Sequence, residues 1–376
     1  MSCCPKGSAP YLAADHNDEG KVGEADGVKY YHVGSGPNGV LLLPDIWGWN
    51  GGRIRALADD MAKKYKLNCW IPKMMPKFEE GTDDDGLPPD FDPASRFGEL
   101  FEKGYIGPGD APWGPKTMVA KSKKIIDAMK KDGVIKYACI GFCYGAYIGM
   151  HLSKEISGDE LVCCASPHPS AVQLESGTGG DVEKLVKAQK CPWAFYPAGD
   201  PSGTGADPVD YDSTGTVMKI LEGLFPGRNR SRRFKAMSHG FVTRGAIKSG
   251  HGSAMKGDDV KASIEECMED ILDYLSDFGL VDGRVSMKVT TKKSLNFYVN
   301  SAKSFFKGVE SKDGTKKDAV DQLKISGLGD AVNVAVSAAM TAEKEGLAVI
   351  EKVETSYPAL QDKGQPRILI KLVKSS

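Results

Sequence analysis

Short apolar runs alternating with amphipathic stretches shape the first three quarters of the chain. Val40-Leu41-Leu42-Leu43, Asn68-Cys69-Trp70-Ile71-Pro72, Tyr137-Ala138-Cys139-Ile140, Leu161-Val162-Cys163-Cys164-Ala165 and Trp193-Ala194-Phe195-Tyr196-Pro197 are too short for helices and nearly free of charge. Such runs read as strands buried on both faces. Arg232-Arg233-Phe234-Lys235-Ala236-Met237 predicts a last strand, and Ala146–Leu152 a helix. From Asp258 to Phe278, Val260, Ile264, Cys267, Met268, Ile271, Leu272 and Leu275 recur at helical spacing, which predicts a long amphipathic closing helix. Gly279-Leu280-Val281-Asp282-Gly283 reads as a turn. Beyond it the pattern predicts strand Val285–Val289, helix Ser294–Phe306, strand Val320–Ile325, helix Asp330–Glu343, strand Leu347–Thr355 and strand Arg367–Val373. The chain therefore divides into an α/β domain over residues 1–280, a linker over 281–287 and a small α+β domain over 288–376.

Between strand and helix sits Gly141-Phe142-Cys143-Tyr144-Gly145. Glycine, nucleophile, glycine at this spacing lets the backbone turn sharply, so that the central side chain stands above the sheet edge. Here that side chain is a thiol; the alternative is a Gly-rich turn around a buried, inert Cys. A thiol needs a base, and the base a group that orients it. Ala198-Gly199-Asp200 places a carboxylate after a strand, at the end of the sheet where ligand sites lie. His239, in Ser238-His239-Gly240-Phe241, follows the last predicted strand. His168, in Ser166-Pro167-His168-Pro169-Ser170, follows the Leu161–Ala165 strand within reach of the pocket rim; His16, His32 and His251 read as surface residues. Asp45 follows the Val40–Leu43 strand. The expected oxyanion hole is made of backbone N–H groups, one on Tyr144, the residue after the nucleophile.

With 41% hydrophobic residues over 376 positions the chain is globular and long enough for two domains. Nine cysteines show neither a Cys-x-x-Cys nor a Cys/His ladder, which points to a reducing compartment and to no structural metal. The first residues lack the apolar core of a leader, and no run is long enough for a membrane span; the expectation is a cytoplasmic protein, with the nucleus as the alternative. The net charge of −1 conceals an asymmetry: residues 286–376 carry 15 Lys+Arg against 10 Asp+Glu, and the rest of the chain is net acidic. Lys77 to Trp113 is rich in Gly, Pro and Asp, including Asp83-Asp84-Asp85, and reads as an excursion over the site, the aspartates as a solvated charge cluster.

These residues together resemble the dienelactone hydrolase family, a cysteine-nucleophile branch of the α/β-hydrolases. The matching segments are Cys3-Cys4-Pro5, Asp45-Ile46-Trp47-Gly48, Gly141–Gly145, Gly199-Asp200 and His239-Gly240-Phe241 with Arg244. The resemblance implies an α/β-hydrolase fold and a triad of Cys143, Asp200 and His239. It adds Asp45 as an acid governing thiolate formation and Ile46 as the second oxyanion donor. It also implies cationic substrate contacts at Arg244, Lys73 and Lys77. The family's second arginine and its common Pro-Asp are replaced by Pro72-Lys73 and Lys77. No cofactor or metal is implied; the expected substrate is a small, anionic ester or lactone cleaved through a thioester.

The C-terminal β-α-β-α-β-β order resembles the Alba family of small DNA- and RNA-binding proteins. Lys292-Lys293 with Leu295–Val299, and Leu323-Lys324-Ile325-Ser326-Gly327-Leu328-Gly329-Asp330, carry the resemblance. It implies nucleic-acid contacts at Lys292 and Lys293, with homodimerisation as a rival role. The family's basic-Gly-basic turn is here Gly327-Leu328-Gly329-Asp330, without arginines. Two further readings stay open: a nucleic-acid-binding or scaffold protein carrying a repurposed hydrolase shell, and a thiol acyltransferase or peptidase on the same triad.

Overall fold

The computed structural model describes residues 16–50, 52–79, 85–88, 91–203, 205–244, 257–281, 283–310, 316–356, 359–360, 363–364 and 366–375. Cys3-Cys4-Pro5, Asp83, Asp84 and His251, singled out above, lie outside the described residues. The chain forms two compact units, Met1–Tyr274 and Leu275–Ser376.

The first unit is built on eight strands: β1 (Lys21–Ala25), β2 (Val28–Val33), β3 (Asn38–Leu43), β4 (Asn68–Pro72), β5 (Lys136–Gly141), β6 (Leu161–Pro167), β7 (Trp193–Tyr196) and β8 (Arg230–Ser231). Their order is β1-β2-β4-β3-β5-β6-β7-β8. β1 and β2 pair antiparallel, β2 meets β4 antiparallel, and every pair from β4 to β8 is parallel. This order defines the α/β-hydrolase fold. β3, β4 and β7 are buried throughout, as parallel strands covered on both faces must be. The helices between them are α1 (Ile54–Tyr65), α2 (Pro93–Glu102), α3 (Pro115–Lys131), α4 (Tyr144–Ser153), α5 (Ala171–Gly177), α6 (Val182–Lys187), α7 (Thr216–Leu224), α8 (Phe241–Arg244) and α9 (Gly257–Ser276). The last strand is shorter and earlier than the sequence predicts. Pairing with β7 covers only Arg230–Ser231, and Phe234 keeps one isolated bridge to Ala198.

The second unit contains β9 (Arg284–Val289), α10 (Leu295–Lys307), β10 (Val309–Glu310), β11 (Lys316–Lys317), β12 (Gln322–Leu328), α11 (Ala331–Lys344), β13 (Ala348–Ser356), β14 (Ala359–Leu360), β15 (Lys363–Gly364) and β16 (Arg367–Lys374). β10/β11 and β14/β15 are two-stranded ribbons, and the main sheet runs β13-β16-β12-β9. Both helices pack on it: Tyr298, Val299, Ala302 and Phe306 of α10 and the alanines of α11 share one core with Leu323, Ile325, Ile370 and Leu372. The small side chains of α11 let it lie close to the sheet; a Cβ on Gly327 would stand 2.5 Å from the Ala331 carbonyl oxygen. The six predicted elements are present in order. The expected linker 281–287 is corrected in part, because residues 284–287 already belong to β9.

Candidate active site and candidate nucleic-acid interface

Cys143 lies between β5 and α4 with φ 52° and ψ −109°, a conformation a side chain adopts only at a cost of order 1–3 kcal/mol. The flanking glycines leave no alternative packing. A Cβ on Gly145 would meet the Leu43 carbonyl oxygen at 2.1 Å, and one on Gly141 would meet the Gly145 carbonyl oxygen at 2.4 Å. The turn is thereby pressed against the end of β3, and Cys143 caps the ten-residue helix α4. A helix N-terminus favours a thiolate over a thiol.

His239 is buried, on the turn ahead of α8, and its Nδ1 is 2.6 Å from Asp207 Oδ1. The carboxylate on this histidine is therefore Asp207, not Asp200. The chain leaves β7, makes an excursion through Asp200, and returns where Asp207 N–H donates to the Ala198 carbonyl (2.9 Å). Ala198 N–H in turn donates to Asp207 Oδ2 (2.7 Å). Asp200 is exposed at the tip, accepting from the N–H and hydroxyl of Ser202, and these bonds lower its pKa. The buried Arg233 ties the excursion down: its guanidinium donates to the carbonyls of Ala198, Gly199 and Pro208 and pairs with Asp212 at 2.8 Å.

Burial disfavours a charged His239, but the charges of Asp207 and Cys143, with hydrogen bonds to both, outweigh it and hold the imidazole well above the ordinary histidine value. Cys143 and His239 are thus neighbours, the sulfur and Nε2 each standing within 3.5 Å of the Ser170 hydroxyl oxygen. Ser170, which the sequence reading passed over, is also buried here, its Oγ 3.4 Å from Cys143 Sγ and 3.5 Å from His239 Nε2. His168 is not at a rim: it is fully buried, in the left-handed region (φ 40°), its ring 5.1 Å from that of His239.

Asp45 is buried on the loop after β3. Its carboxylate accepts from Trp47 N–H (2.9 Å) and from the Thr243 hydroxyl (2.8 Å), and lies 3.7 Å from Arg244 Nε. Arg244 is buried as well, folded back over Gly240, where a Cβ would come within 2.1 Å of the guanidinium. Its charge is thus answered in part by Asp45. Lys73 is half-buried with its ammonium 5.7 Å from the Trp49 ring, whereas Lys77 is exposed.

The N–H groups of Ile46 and Tyr144 donate no hydrogen bond to another described residue, as an oxyanion hole requires. The segment between β4 and α3 rests on both residues. Leu87 N–H donates to the Ile46 carbonyl (2.9 Å), and the Tyr144 hydroxyl donates to the Trp113 carbonyl. An edge-to-face aromatic series, Phe91, Phe78, Tyr105 and Trp113, runs through that segment, and Trp113 meets Tyr144 at a tilt of 59°. Asp85 accepts from Trp49 N–H (3.3 Å).

Among the described residues, one group brings three potential metal ligands within 4.8 Å, His16, Asp18 and Asp59. They are already paired: Asp59 takes His16, Glu19 N–H and the Tyr31 hydroxyl, and Asp18 takes Arg55. No helix among the described residues is long and apolar enough to cross a membrane.

In the second unit, Lys292 and Lys293 are exposed on the turn before α10, whose N-cap Ser294 accepts from Phe297 N–H. Phe297 is 49% exposed, and the Lys293 ammonium stands 5.6 Å from its ring. The ring leans edge-on against Tyr298, whose hydroxyl is fixed by Thr290.

Residues 285–357 match the Alba family model. Endonuclease ALBA3 of Plasmodium falciparum is 38% identical over 72 residues, which is 19% of this chain and 63% of that protein. The chain thus spans less than two thirds of that relative. ALBA1 from Trypanosoma brucei is 23% identical over 24% of this chain and 69% of its own, with a TM-score of 0.19. For the first unit, a structure provisionally described as a dienelactone hydrolase, from Klebsiella pneumoniae, is 14% identical over 68% of this chain and 98% of its own, with a TM-score of 0.45. Est1E from Butyrivibrio proteoclasticus is 12% identical over 68% and 99%, with a TM-score of 0.43. The α/β-hydrolase assignment stands on the strand order, since likenesses at these scores carry none of it.

Proposed function

We propose that the first unit is a carboxylic ester hydrolase that cleaves a small ester or lactone through a thioester on Cys143. The observation that carries the reading is the buried series from Cys143 through His239 to Asp207, closed by the 2.6 Å contact at Nδ1. The thiolate attacks the ester carbonyl, forming a C–S bond while the carbonyl electrons move to oxygen. The N–H groups of Ile46 and Tyr144 hold that oxyanion. Imidazolium Nε2–H gives its proton to the departing alkoxide, and the neutral imidazole then takes a proton from the water that hydrolyses the thioester. Asp207 orients the ring throughout. Asp45 acts at one remove, by holding Thr243 and Arg244 beside the histidine turn.

An anionic, dienelactone-like substrate fits Arg244 as an electrostatic partner, with the half-buried Lys73 and the exposed Lys77 as further cations on the β4–α2 connection. Hydrolysis of an acidic dienelactone beside a neutral activated ester, by wild type and Arg244→Met, tests the preference. A selective loss on the lactone supports it, and an equal loss on both removes it. The second unit binds RNA or DNA through Lys292, Lys293 and the exposed Phe297. The cations meet phosphates and the ring stacks on a base. Filter retention of RNA and DNA at low salt tests this, and no retention would return the unit to homodimerisation. The seven described cysteines are all free, which fits a reducing, cytoplasmic setting.

A further inference from the structure

The loop Ser166–Ser170 is built to deliver one hydroxyl. Pro167 and Pro169 stiffen it, His168 turns it through the left-handed region, and Ser166 Oγ anchors it on the Gly141 carbonyl. At its end, Ser170 N–H donates to the Cys143 carbonyl (3.2 Å), and Ser170 Oγ stands 3.4 Å from the sulfur and 3.5 Å from His239 Nε2. The side chain is fully buried, so no solvent competes for its hydroxyl.

We propose that Ser170 is a further member of the reactive pair, its hydroxyl donating to the Cys143 sulfur and accepting from His239 Nε2–H, so that the resting enzyme holds a thiolate. The inference rests on Cys143 and His239 being the reactive pair proposed above. With the thiol proton on Nε2, shared between the sulfur and the Ser170 oxygen, the single Ser170 proton points at sulfur and no proton is left over. A hydrogen bond to a charged acceptor favours the charged form. Once the thioester forms, sulfur no longer carries charge, and the hydroxyl is released to turn toward Nε2.

The other charged or titratable groups on the surrounding elements are accounted for. His168 packs edge-on to His239, Asp207 holds Nδ1, and Asp45 is engaged with Thr243 and Arg244. His151 of α4 pairs with Glu175 of α5 at 2.8 Å. None of these supplies the sulfur with a hydroxyl donor.

The test is the pH dependence of iodoacetamide alkylation at Cys143, read by mass spectrometry of its peptide in full-length wild type, Ser170→Ala and Ser170→Thr. Ser170→Ala retains the backbone bond and loses only the hydroxyl. Its alkylation midpoint is expected about one pH unit above wild type, the weight of one charge-assisted hydrogen bond. Ser170→Thr is expected to stay near wild type. An unmoved midpoint in Ser170→Ala, or equal shifts in both variants, would overturn the proposal, the second because packing would then be the cause. Alkylation needs no substrate. Absence of ester turnover with a hydroxyl-dependent midpoint would reject the hydrolase and leave this inference standing.

Discussion

His239 Nδ1 and Asp207 Oδ1 meet at 2.6 Å, both buried, while Asp200 lies seven residues earlier on exposed chain. The pairing makes a sharp forecast. Asp207→Asn leaves the shape intact but favours the wrong tautomer, and kcat for ester hydrolysis is expected to fall by about 10²–10⁴. Asp200→Asn is expected to stay within about twofold. Steady-state kinetics on a small activated ester checks both; the opposite ranking would restore Asp200.

The pH dependence follows from the same contact. His239 is raised above its unfolded value of about 6.5. Its imidazolium therefore contributes stability in full below about pH 6.5 and loses it as pH rises through the raised folded value. Catalysis by the thiolate–imidazolium pair should hold across neutral pH and fall on the alkaline side as the imidazolium is lost. Removing the Asp207 charge should move that alkaline limb of kcat to lower pH, measured as a pH–rate profile of Asp207→Asn. The profile belongs to the coupled pair, not to one residue.

Arg233 positions Asp207 without touching His239. Its guanidinium spans three carbonyls and the half-buried Asp212, so Arg233→Met leaves that carboxylate and three carbonyl acceptors without their donor. The expected loss is about 3 kcal/mol of stability and a lower kcat with KM little changed. Urea unfolding and kinetics on the folded fraction separate the two effects.

Gly145 is fixed by close approach. Gly145→Ala would force a methyl against the Leu43 carbonyl, and about 1–3 kcal/mol of stability should be lost. The displaced turn should also lower kcat through the Tyr144 N–H. A thermal melt unchanged from wild type would contradict the packing described here.

Much of this was legible in the sequence, and the failures have physical causes. Parallel strands buried on both faces leave unmistakable apolar runs, so β3 to β7 and the pentapeptide around Cys143 could be placed. The C-terminal elements followed from the pattern of apolar and polar positions. The acid was misplaced because a strand-end carboxylate is a one-dimensional signal. The Pro-Ser-Gly-Thr-Gly composition after Asp200 marks a surface excursion that carries the chain away and back to Asp207, and this was the cue available. Arg232–Met237 contains alternating apolar residues, but beyond Ser231 only single backbone bonds, Arg232 N–H to the Phe195 carbonyl and Phe234 N–H to the Pro197 carbonyl, and one isolated bridge remain of the pairing. Ser170 and Thr243 carry no pattern of their own; only folding brings them beside Cys143 and Asp45. The resemblance offers Arg244 as a substrate cation, and its burial against Asp45 is a tertiary fact.

For the second unit, Phe297→Ala is expected to weaken single-strand binding by about tenfold or more with the salt dependence unchanged, because stacking releases no counterions. Lys292→Ala with Lys293→Ala should instead flatten the slope of log K against log salt by about 0.7 per lost contact. Titrations of labelled RNA at several salt concentrations distinguish the two. If neither variant changes binding, the interface lies elsewhere on the unit.

The central claim is that Cys143 carries the acyl group. Rapid quench of an activated ester with the intact protein, followed by peptide mass spectrometry, tests it most directly. The account predicts a transient thioester on the Cys143 peptide, accumulating at the rate of the burst, and no turnover by Cys143→Ala. Undiminished turnover in Cys143→Ala, or an acyl group found on another residue, would contradict it.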